Sequence, residues 1–140
     1  MGIKETEDRI VDEFSEFGDN WELRYEHLIQ MGKSLSSFEE AYKTDKFIIR
    51  GCQSKVWIRS QYRNGKVIFE GDSDAILTRG LVALVIRVLT NQDAKEISMY
   101  ELTFIERIGL REHLSPTRAN GLLAMLKQMK MEALVWSGIN

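Results

Sequence analysis

The dipeptide Asn64-Gly65, which separates two segments of alternating apolar residues, most constrains the fold. Both residue types tolerate the positive φ that two-residue hairpin turns require, so the pair predicts a β-hairpin. The predicted strands are 55–62 and 66–70, and apolar side chains recur at every second position. These side chains are Val56, Ile58, Val67 and Phe69. A two-stranded hairpin is marginally stable alone, so we expect helices to cover one face.

A strongly apolar helix is predicted directly after the hairpin. Residues 75–89 are apolar around much of the helix surface, which is typical of a buried central helix. Asp72 or Ser73 is predicted to cap its N-terminus. Gly80 lies inside this helix, where glycine costs roughly 1 kcal/mol relative to alanine. Close packing of the helix against the sheet explains why glycine is tolerated there.

The remaining elements are mostly helical, with boundaries that follow from capping residues and apolar spacing. In the first half of the chain we predict a helix over 5–17 and a second helix that begins at a cap, Asp19 or Asn20, and ends with Gly32 at its C′ position. A long connection over 34–45 and a short strand over 47–49 follow. After the central helix we predict helices over 91–99 and 102–110 and a last helix from Pro116 to Trp136, which Ser115 caps. No repeat or linker interrupts them. The sequence therefore predicts one α+β domain over 1–140, with a small antiparallel sheet packed against several helices.

Composition excludes several classes of function. The net charge of −2 and the pI of about 5.8 provide no basic field for nucleic acid. No apolar segment approaches the roughly 20 residues that span a bilayer, and the N-terminus lacks a secretory signal. A single cysteine forms no internal disulfide, which favours a reducing compartment. We therefore expect a cytoplasmic protein with no nucleic-acid or membrane partner.

The only cysteine, Cys52, is the principal candidate for chemistry. It follows Gly51 and precedes the first hairpin strand, so it belongs to a loop that can present a thiol to another molecule. A lone cysteine is often inert packing. The glycine and the position at the start of a strand favour a reactive role instead, and residues alone leave both interpretations open.

Other chemistry has weak support. A cysteine hydrolase needs a base, and His27 and His113 are the only histidines, with no motif that pairs either with Cys52. A metal or iron–sulfur centre needs several ligands, and Asp72 with Asp74 lacks EF-hand spacing. The sequence therefore predicts no metal site. A thiol-dependent hydrolase or peroxidase would have to act without any partner protein.

Three separated motifs resemble the SufE family, the sulfur acceptors of iron–sulfur cluster assembly. The matching stretches are Gly51-Cys52-Gln53-Ser54 with Val56-Trp57, Gly71-Asp72-Ser73-Asp74-Ala75 with Gly80-Leu81, and His113-Leu114-Ser115-Pro116 with Arg118, Asn120 and Gly121-Leu122. Together with 24–35, the resemblance extends over about 20–135. At Arg50 the chain departs from the family, since many members have a small or apolar residue or proline there.

The resemblance implies an α+β fold similar to that of IscU-type scaffolds, and it implies that Cys52 accepts sulfur. The donor would be a cysteine desulfurase that uses pyridoxal phosphate (SufS-like), and the recipient an iron–sulfur assembly complex (SufBCD-like). The chain itself would be a carrier and activator rather than an enzyme, with no cofactor beyond a transient Cys52 persulfide. The alternative is a regulatory module that binds a desulfurase or scaffold without carrying sulfur.

The motifs also nominate residues around Cys52. The candidates for loop geometry or partner binding are Arg50, Gly51, Gln53, Ser54, Asp74, Arg118 and Asn120. We expect the three motifs to converge on one face, with Arg118 docking the desulfurase and Asp74 restraining the Cys52 loop. The alternative is that Asp74 is a helix-start carboxylate with Arg118 as its ion-pair partner.

Three expectations concern the thiol itself. Gly51 would supply the backbone freedom that swings the thiol outward. Arg50 and Lys55 would favour the thiolate electrostatically. Because solvent thiols readily remove sulfur from a persulfide, we expect Cys52 to be shielded in the resting protein.

Overall fold

The computed structural model describes residues 1–138 and confirms the hairpin. Strand β1 (Val56–Arg63) pairs antiparallel with β2 (Lys66–Ser73), from Val56 opposite Ser73 to Arg63 opposite Lys66. Asn64 and Gly65 adopt φ of 52° and 81° in the turn. The second strand continues three residues beyond the predicted Glu70. Gly71 makes this possible, since a Cβ there would lie 2.6 Å from the Trp57 carbonyl oxygen.

A third strand and a bridge complete the sheet. Strand β3 (Gln92–Asp93) pairs antiparallel with Lys66 and Val67, giving the order β1-β2-β3. The strand predicted over 47–49 is reduced to one bridge, between Ile48 and Trp57. Its backbone still lies along β1, since the Ile49 N–H donates to the Val56 carbonyl at 2.8 Å.

The predicted central helix is confirmed as α3 (Ile76–Leu89), which is buried along most of its length. It packs between β2 and helix α2 (Trp21–Lys33). The expectation that Gly80 faces the sheet is wrong, because a Cβ at Gly80 would lie 2.3 Å from the Leu28 carbonyl oxygen of α2. Gly32 is likewise no C′ residue: it lies inside α2, where a Cβ would come within 2.8 Å of the Gly80 nitrogen.

Capping was predicted well at two helices and wrongly at a third. Asn20 accepts from the Leu23 N–H at 3.1 Å at the start of α2. Ser115 accepts from the Arg118 N–H at 3.3 Å at the start of α7 (Pro116–Ser137). The N-cap of α3 is Ala75, without a side-chain cap. Asp72 instead pairs with Lys43 and Arg79, whereas the Ser73 hydroxyl donates to the Lys55 carbonyl.

The other helices differ from prediction mainly at their ends. They are α1 (Ile3–Ser15), a 3₁₀ turn (Glu40–Tyr42), α4 (Ala94–Met99), α5 (Phe104–Ile108) and α6 (Leu110–His113). The helix predicted over 91–99 begins later because Asn91 has φ of 59° and β3 follows it. The helix predicted over 102–110 is divided because Gly109 has φ of 85°.

A buried carboxylate, which the sequence analysis did not identify, connects α1 to the segment between α4 and α5. Glu7 is fully buried. Its carboxylate accepts from the Tyr100 hydroxyl at 2.8 Å, from the Thr103 N–H and hydroxyl at 2.7 and 3.3 Å, and from the Phe104 N–H at 2.9 Å. Burial, followed by the Glu7 hydrogen bond, raises the pKa of Tyr100 to about 12. We call Glu7, Tyr100, Thr103 and Phe104 the Glu7 cluster.

One hydrophobic core joins the sheet to the helices, from Ile3 in α1 to Ala133 in α7. A single domain over 1–140 stays a prediction. Within residues 1–138, no helix has the length and apolar character needed to cross a membrane. The same residues contain no group of three or more histidine, cysteine, aspartate or glutamate side chains placed to hold a metal ion.

Candidate functional site

Cys52 lies in the loop between the Ile48 bridge and β1, where it packs against α7. Gly51, immediately before it, has φ of 95°, a left-handed conformation that favours glycine. A Cβ at Gly51 would lie 3.3 Å from Cβ of Ala124 in α7. Conformation and space therefore both favour glycine at this position, and the turn directs the loop onto the helix.

The Cys52 thiol points toward the first turns of α7 and is half-buried. It donates a long hydrogen bond to the Gly121 carbonyl, with Sγ and oxygen 3.6 Å apart. A Cβ at Gly121 would lie 3.4 Å from Sγ, at ordinary van der Waals distance, so the thiol packs directly on this turn of α7. The thiol thus faces the interior rather than swinging freely outward, in the geometry expected of a shielded cysteine.

A small cavity of about 40 Å³ opens beside Cys52. Three segments line it: Cys52, Gln53 and Ser54 from the loop, Thr78 and Leu81 from α3, and Thr117, Arg118, Gly121 and Met125 from α7. Four predicted residues (Cys52, Gln53, Ser54 and Arg118) are therefore brought together. We call this space the Cys52 cavity.

Burial raises the pKa of the Cys52 thiol above its usual range. This is opposite to the lowering expected from Arg50 and Lys55, and neither residue lines the Cys52 cavity. Arg50 is exposed in a neighbouring depression bordered by Ala124 and Lys127. The resting thiol is therefore held mainly in its protonated, less nucleophilic form at neutral pH.

Asp74 joins the end of the Cys52 loop to the end of β2. Its Oδ1 accepts from the Lys55 N–H at 3.0 Å, and its own N–H donates to the Lys55 carbonyl at 3.2 Å. It therefore contacts the loop three residues after Cys52. The alternative pairing of Asp74 with Arg118 is not observed, since no ion pair involves Arg118 within residues 1–138.

The convergence of the three motifs is incomplete. Arg118 is exposed at the rim of the Cys52 cavity. Asp74 does not line the cavity and contacts the Cys52 loop only at Lys55. Asn120 is exposed on α7 and does not line the cavity. Arg50 lies on the other side of the loop. The structure therefore brings the first and third motifs together beside Cys52, the loop and the start of α7, and the 71–75 turn of the second motif does not line the cavity.

Two cavity residues, Thr78 and Thr117, were missed by sequence reasoning. Thr78 is a polar residue in the predicted apolar helix, and that contrast was the available indication. Leu81 belongs to the second SufE-like motif and Met125 to the predicted last helix, and neither was predicted to lie beside Cys52. Proximity across α3, α7 and the loop is a tertiary property, which helical spacing alone does not reveal.

Neither histidine completes a nucleophile–base pair with Cys52. His27 packs edge-on against Phe14, with ring centroids 5.1 Å apart. His113 stacks on Trp21 at 3.8 Å, and its Nδ1 lies 2.9 Å from the Gly109 carbonyl oxygen. Neither ring lines the Cys52 cavity. Both histidines have structural surroundings, and a cysteine–histidine hydrolase finds no support in this arrangement.

The fold and site define a small α+β protein that presents one partly shielded thiol beside a cavity. Residues 8–133 match the model of the SufE family, described as an Fe-S metabolism associated domain. The chain belongs to the SufE family, as the sequence analysis predicted, and is thereby associated with iron–sulfur metabolism.

Similar proteins occur in bacteria and a plant. A SufE-like protein of Rhizobium meliloti is 40% identical over 131 residues, which cover 90% of this chain and 93% of that protein. One from Synechocystis is 39% identical over 128 residues, 91% and 80% of the two chains. The chloroplastic/mitochondrial SufE-like protein 1 of Arabidopsis thaliana is 40% identical over 112 residues, 79% of this chain and 30% of that protein.

The fold is also found in a solved structure. The solution structure of a hypothetical protein from Thermus thermophilus superimposes with a TM-score of 0.78, covering 96% of this chain and 97% of that one. At 17% sequence identity, this likeness concerns the fold alone. It agrees with the predicted α+β architecture of helices around a small antiparallel sheet.

Proposed function

We propose that the protein is a sulfur acceptor, which takes sulfur from the persulfide of a cysteine desulfurase onto Cys52 and passes it on for iron–sulfur cluster assembly. The observation that carries this proposal is the only cysteine of the chain, held within a SufE-family motif beside a cavity. A carrier of this kind needs a thiol and a partner, without a base or a resident cofactor of its own.

The transfer is an exchange at sulfur. The Cys52 thiolate attacks the outer sulfur of the desulfurase persulfide, forming the new bond to Sγ. The sulfur–sulfur bond of the donor breaks, and the desulfurase cysteine leaves as a thiolate that takes up a proton. The outer sulfur keeps its oxidation state, so the step consumes no oxidant or reductant. A second exchange of the same type delivers the sulfur to the assembly complex.

The half-buried thiol suggests how the partner controls this exchange. Burial disfavours the nucleophilic thiolate in the free protein. Binding of the desulfurase would have to move the 51–54 loop away from α7 so that Sγ reaches the donor sulfur. We therefore expect alkylation of Cys52 to be slow in the free protein and faster in the complex, and equal rates would contradict a gated loop.

The direct test is intact mass spectrometry after incubation with a pyridoxal-phosphate cysteine desulfurase and free cysteine. We expect one reducible adduct with the mass of one sulfur atom, located on Cys52. The Cys52→Ser variant should bind the desulfurase without gaining the adduct or stimulating turnover. No adduct on the wild-type protein, together with full stimulation by Cys52→Ser, would instead show a regulator that does not carry sulfur.

A further inference from the structure

The second half of α7 exposes a group of large apolar side chains. Met131 is 53% exposed, Leu134 62% and Val135 69%, and their spacing places them on one side of the helix. Together they line a depression of about 660 Å³, which Tyr42 and Phe47 also line. Single exposed apolar residues are ordinary in proteins, whereas a contiguous group of them indicates an interaction surface.

The aromatic residues of this depression are held in fixed positions. The Trp136 Nε1–H donates to the Ser60 hydroxyl oxygen at 3.0 Å, and the indole stacks on the Tyr62 ring with centroids 5.5 Å apart. The Arg59 guanidinium lies 4.1 Å from the centroid of the Tyr42 ring. Tryptophan and tyrosine are the commonest anchors of protein interfaces, and side chains that are already ordered lose little entropy on binding.

A second depression, of about 510 Å³, continues the first, since Lys46 and Met131 line both. It is basic: Lys46, Arg50 and Lys127 line it, and Asp45 is the only acidic residue among those that do. All three cations are exposed, and none forms an ion pair within residues 1–138. We call the two depressions together the α7 groove.

Charge and length select what the α7 groove can bind. A second copy of this chain would bring the same unpaired cations to the contact, and like charges placed together repel. A segment with carboxylates at one end and large apolar side chains at the other would complement both parts of the groove. The groove extends from Ala124 to Val135, roughly 17 Å along the helix. A partner helix of about three turns therefore matches it.

The α7 groove reaches the Cys52 loop on a different side from Arg118. Ala124 lines its basic part, and Gly51 of the loop lies directly against Ala124. Arg118 lines the Cys52 cavity, which shares no lining residue with either depression of the groove. A sulfur carrier has to meet a donor and a recipient through one thiol, and two separate faces beside the loop suit that requirement.

We propose that the α7 groove is the docking site of the sulfur recipient, the iron–sulfur assembly complex, and that an acidic amphipathic helix of that complex fills it. The inference rests on the proposed function and adds to it a second face, distinct from the one that Arg118 is expected to present to the desulfurase. The carboxylates of the helix pair with the three cations, and its apolar side chains cover the exposed side of α7. No covalent bond changes in the groove, which holds the recipient beside Cys52.

Two variants of the groove and two matched controls test the proposal. Lys127→Glu reverses one of the cations, and its control is Lys95→Glu, an exposed lysine of α4 outside the groove. Leu134→Ser removes an apolar contact, and its control is Met99→Ser, since Met99 is 71% exposed at the end of α4. All four changes alter exposed side chains, so the thermal midpoint should match that of the wild type.

The measurement separates loading from delivery. A desulfurase with free cysteine loads Cys52 in each protein, the assembly complex is added below saturation, and intact mass follows the gain and the loss of sulfur. We expect equal loading in all five proteins. Delivery should be about tenfold slower or more in Lys127→Glu and Leu134→Ser and unchanged in the controls. Added salt should narrow the deficit of Lys127→Glu and leave that of Leu134→Ser, because salt screens charges alone.

Three outcomes would overturn the proposal. Equal delivery by the groove variants and their controls would show that nothing docks in the groove. Slower loading in the groove variants would assign the groove to the desulfurase. A wild-type dimer that Leu134→Ser converts to a monomer would assign it to a second copy of the chain.

A binding measurement that needs no sulfur separates this inference from the proposed function. Isothermal titration calorimetry gives the affinity of each unloaded protein for the assembly complex. We expect Lys127→Glu and Leu134→Ser to bind about tenfold more weakly or less than that, and the controls to bind like the wild type. If these affinities are found but a desulfurase never loads Cys52, the sulfur-carrier function fails and the docking site stands. If loading succeeds and all five affinities are equal, the docking site fails and the proposed function stands.

Discussion

The Glu7 cluster and the Cys52 cavity are two polar regions in the same small core, and they differ in how completely their polar groups are paired. Glu7 is fully buried and accepts hydrogen bonds from three residues. Cys52 is half-buried, and its one hydrogen bond in the part of the chain that the structure describes is the 3.6 Å contact to the Gly121 carbonyl.

The difference separates a group that stabilises the fold from one that is available for chemistry. A buried charge whose acceptors are all occupied contributes to a unique packing and has nothing left to offer a ligand. A partly paired site beside a cavity contributes little to stability and retains capacity to bind. The four hydrogen bonds to Glu7 and the single one from Cys52 therefore distinguish the structural carboxylate from the candidate functional thiol.

The largest expected effect on stability comes from removing the charge of the Glu7 cluster. Glu7→Gln replaces an acceptor oxygen with an NH₂ group that faces the donor groups of Thr103 and Phe104. We expect the free energy of unfolding to fall by about 3 kcal/mol, since it leaves buried donors unpaired. Urea denaturation measures this.

Two controls sharpen the comparison. Glu26→Gln changes an exposed carboxylate of α2 and should stay within about 0.5 kcal/mol of the wild type. Cys52→Ala removes one long hydrogen bond and should cost less than about 1.5 kcal/mol. If Cys52→Ala destabilised the protein as much as Glu7→Gln, the thiol would be a structural group and the contrast would fail.

Gly51→Ala should have the next largest effect. Its φ of 95° disfavours a side chain, and the new Cβ would also crowd Ala124. We expect a loss of about 1–2 kcal/mol and faster alkylation of Cys52, because the strained loop separates from α7. Gly65→Ala is the matched control, with φ of 81° and no neighbour within 4 Å of its Cβ. It should lose similar stability without changing Cys52 alkylation, and equal acceleration in both would show general unfolding.

Local sequence patterns predicted much of the fold. Asn64-Gly65 and the alternation around it gave the hairpin, and Ser115-Pro116 gave the start of α7, because turn and capping chemistry depends on neighbouring residues. The apolar composition of 75–89 predicted a buried central helix. Cys52 was identified from its uniqueness and from the family motif.

What could not be predicted depends on contacts between distant segments. Positions 32 and 80 need glycine because α2 and α3 come into close contact there. The sequence around each glycine does not show which other helix it will contact. Glu7 resembled one more acidic residue of an exposed face, because its backbone donors lie 96 and 97 residues further along the chain. Thr78 lines the Cys52 cavity only because the loop that carries Cys52 folds back beside α3. The pKa of the Cys52 thiol is raised by burial. The sequence shows only the basic neighbours Arg50 and Lys55, which predicted the opposite direction.

Arg118→Ala tests the rim of the Cys52 cavity. Arg118 is exposed and has no ion pair within residues 1–138, so its removal should leave stability within about 0.5 kcal/mol. We expect weaker stimulation of the desulfurase and weaker complex formation, with a reduced dependence of affinity on salt, as for a docking charge. Arg63→Ala, an exposed arginine at the end of β1, is the control. Unchanged binding at low and physiological salt would make Arg118 irrelevant to docking.

The smallest expected effect is in the pH dependence of the free thiol. Burial disfavours the charged thiolate, so the pKa of Cys52 is raised above its usual range. Because iodoacetamide reacts with the thiolate, the alkylation rate should still be rising at pH values where an ordinary cysteine has reached its plateau. The same chain unfolded in urea provides the matched control and should plateau at lower pH. A native midpoint at or below that of the unfolded chain would show that the cavity favours the thiolate of the resting protein. The contrast with the Glu7 cluster would then rest on the single hydrogen bond of Cys52 alone, and not on a resting thiol that burial keeps protonated.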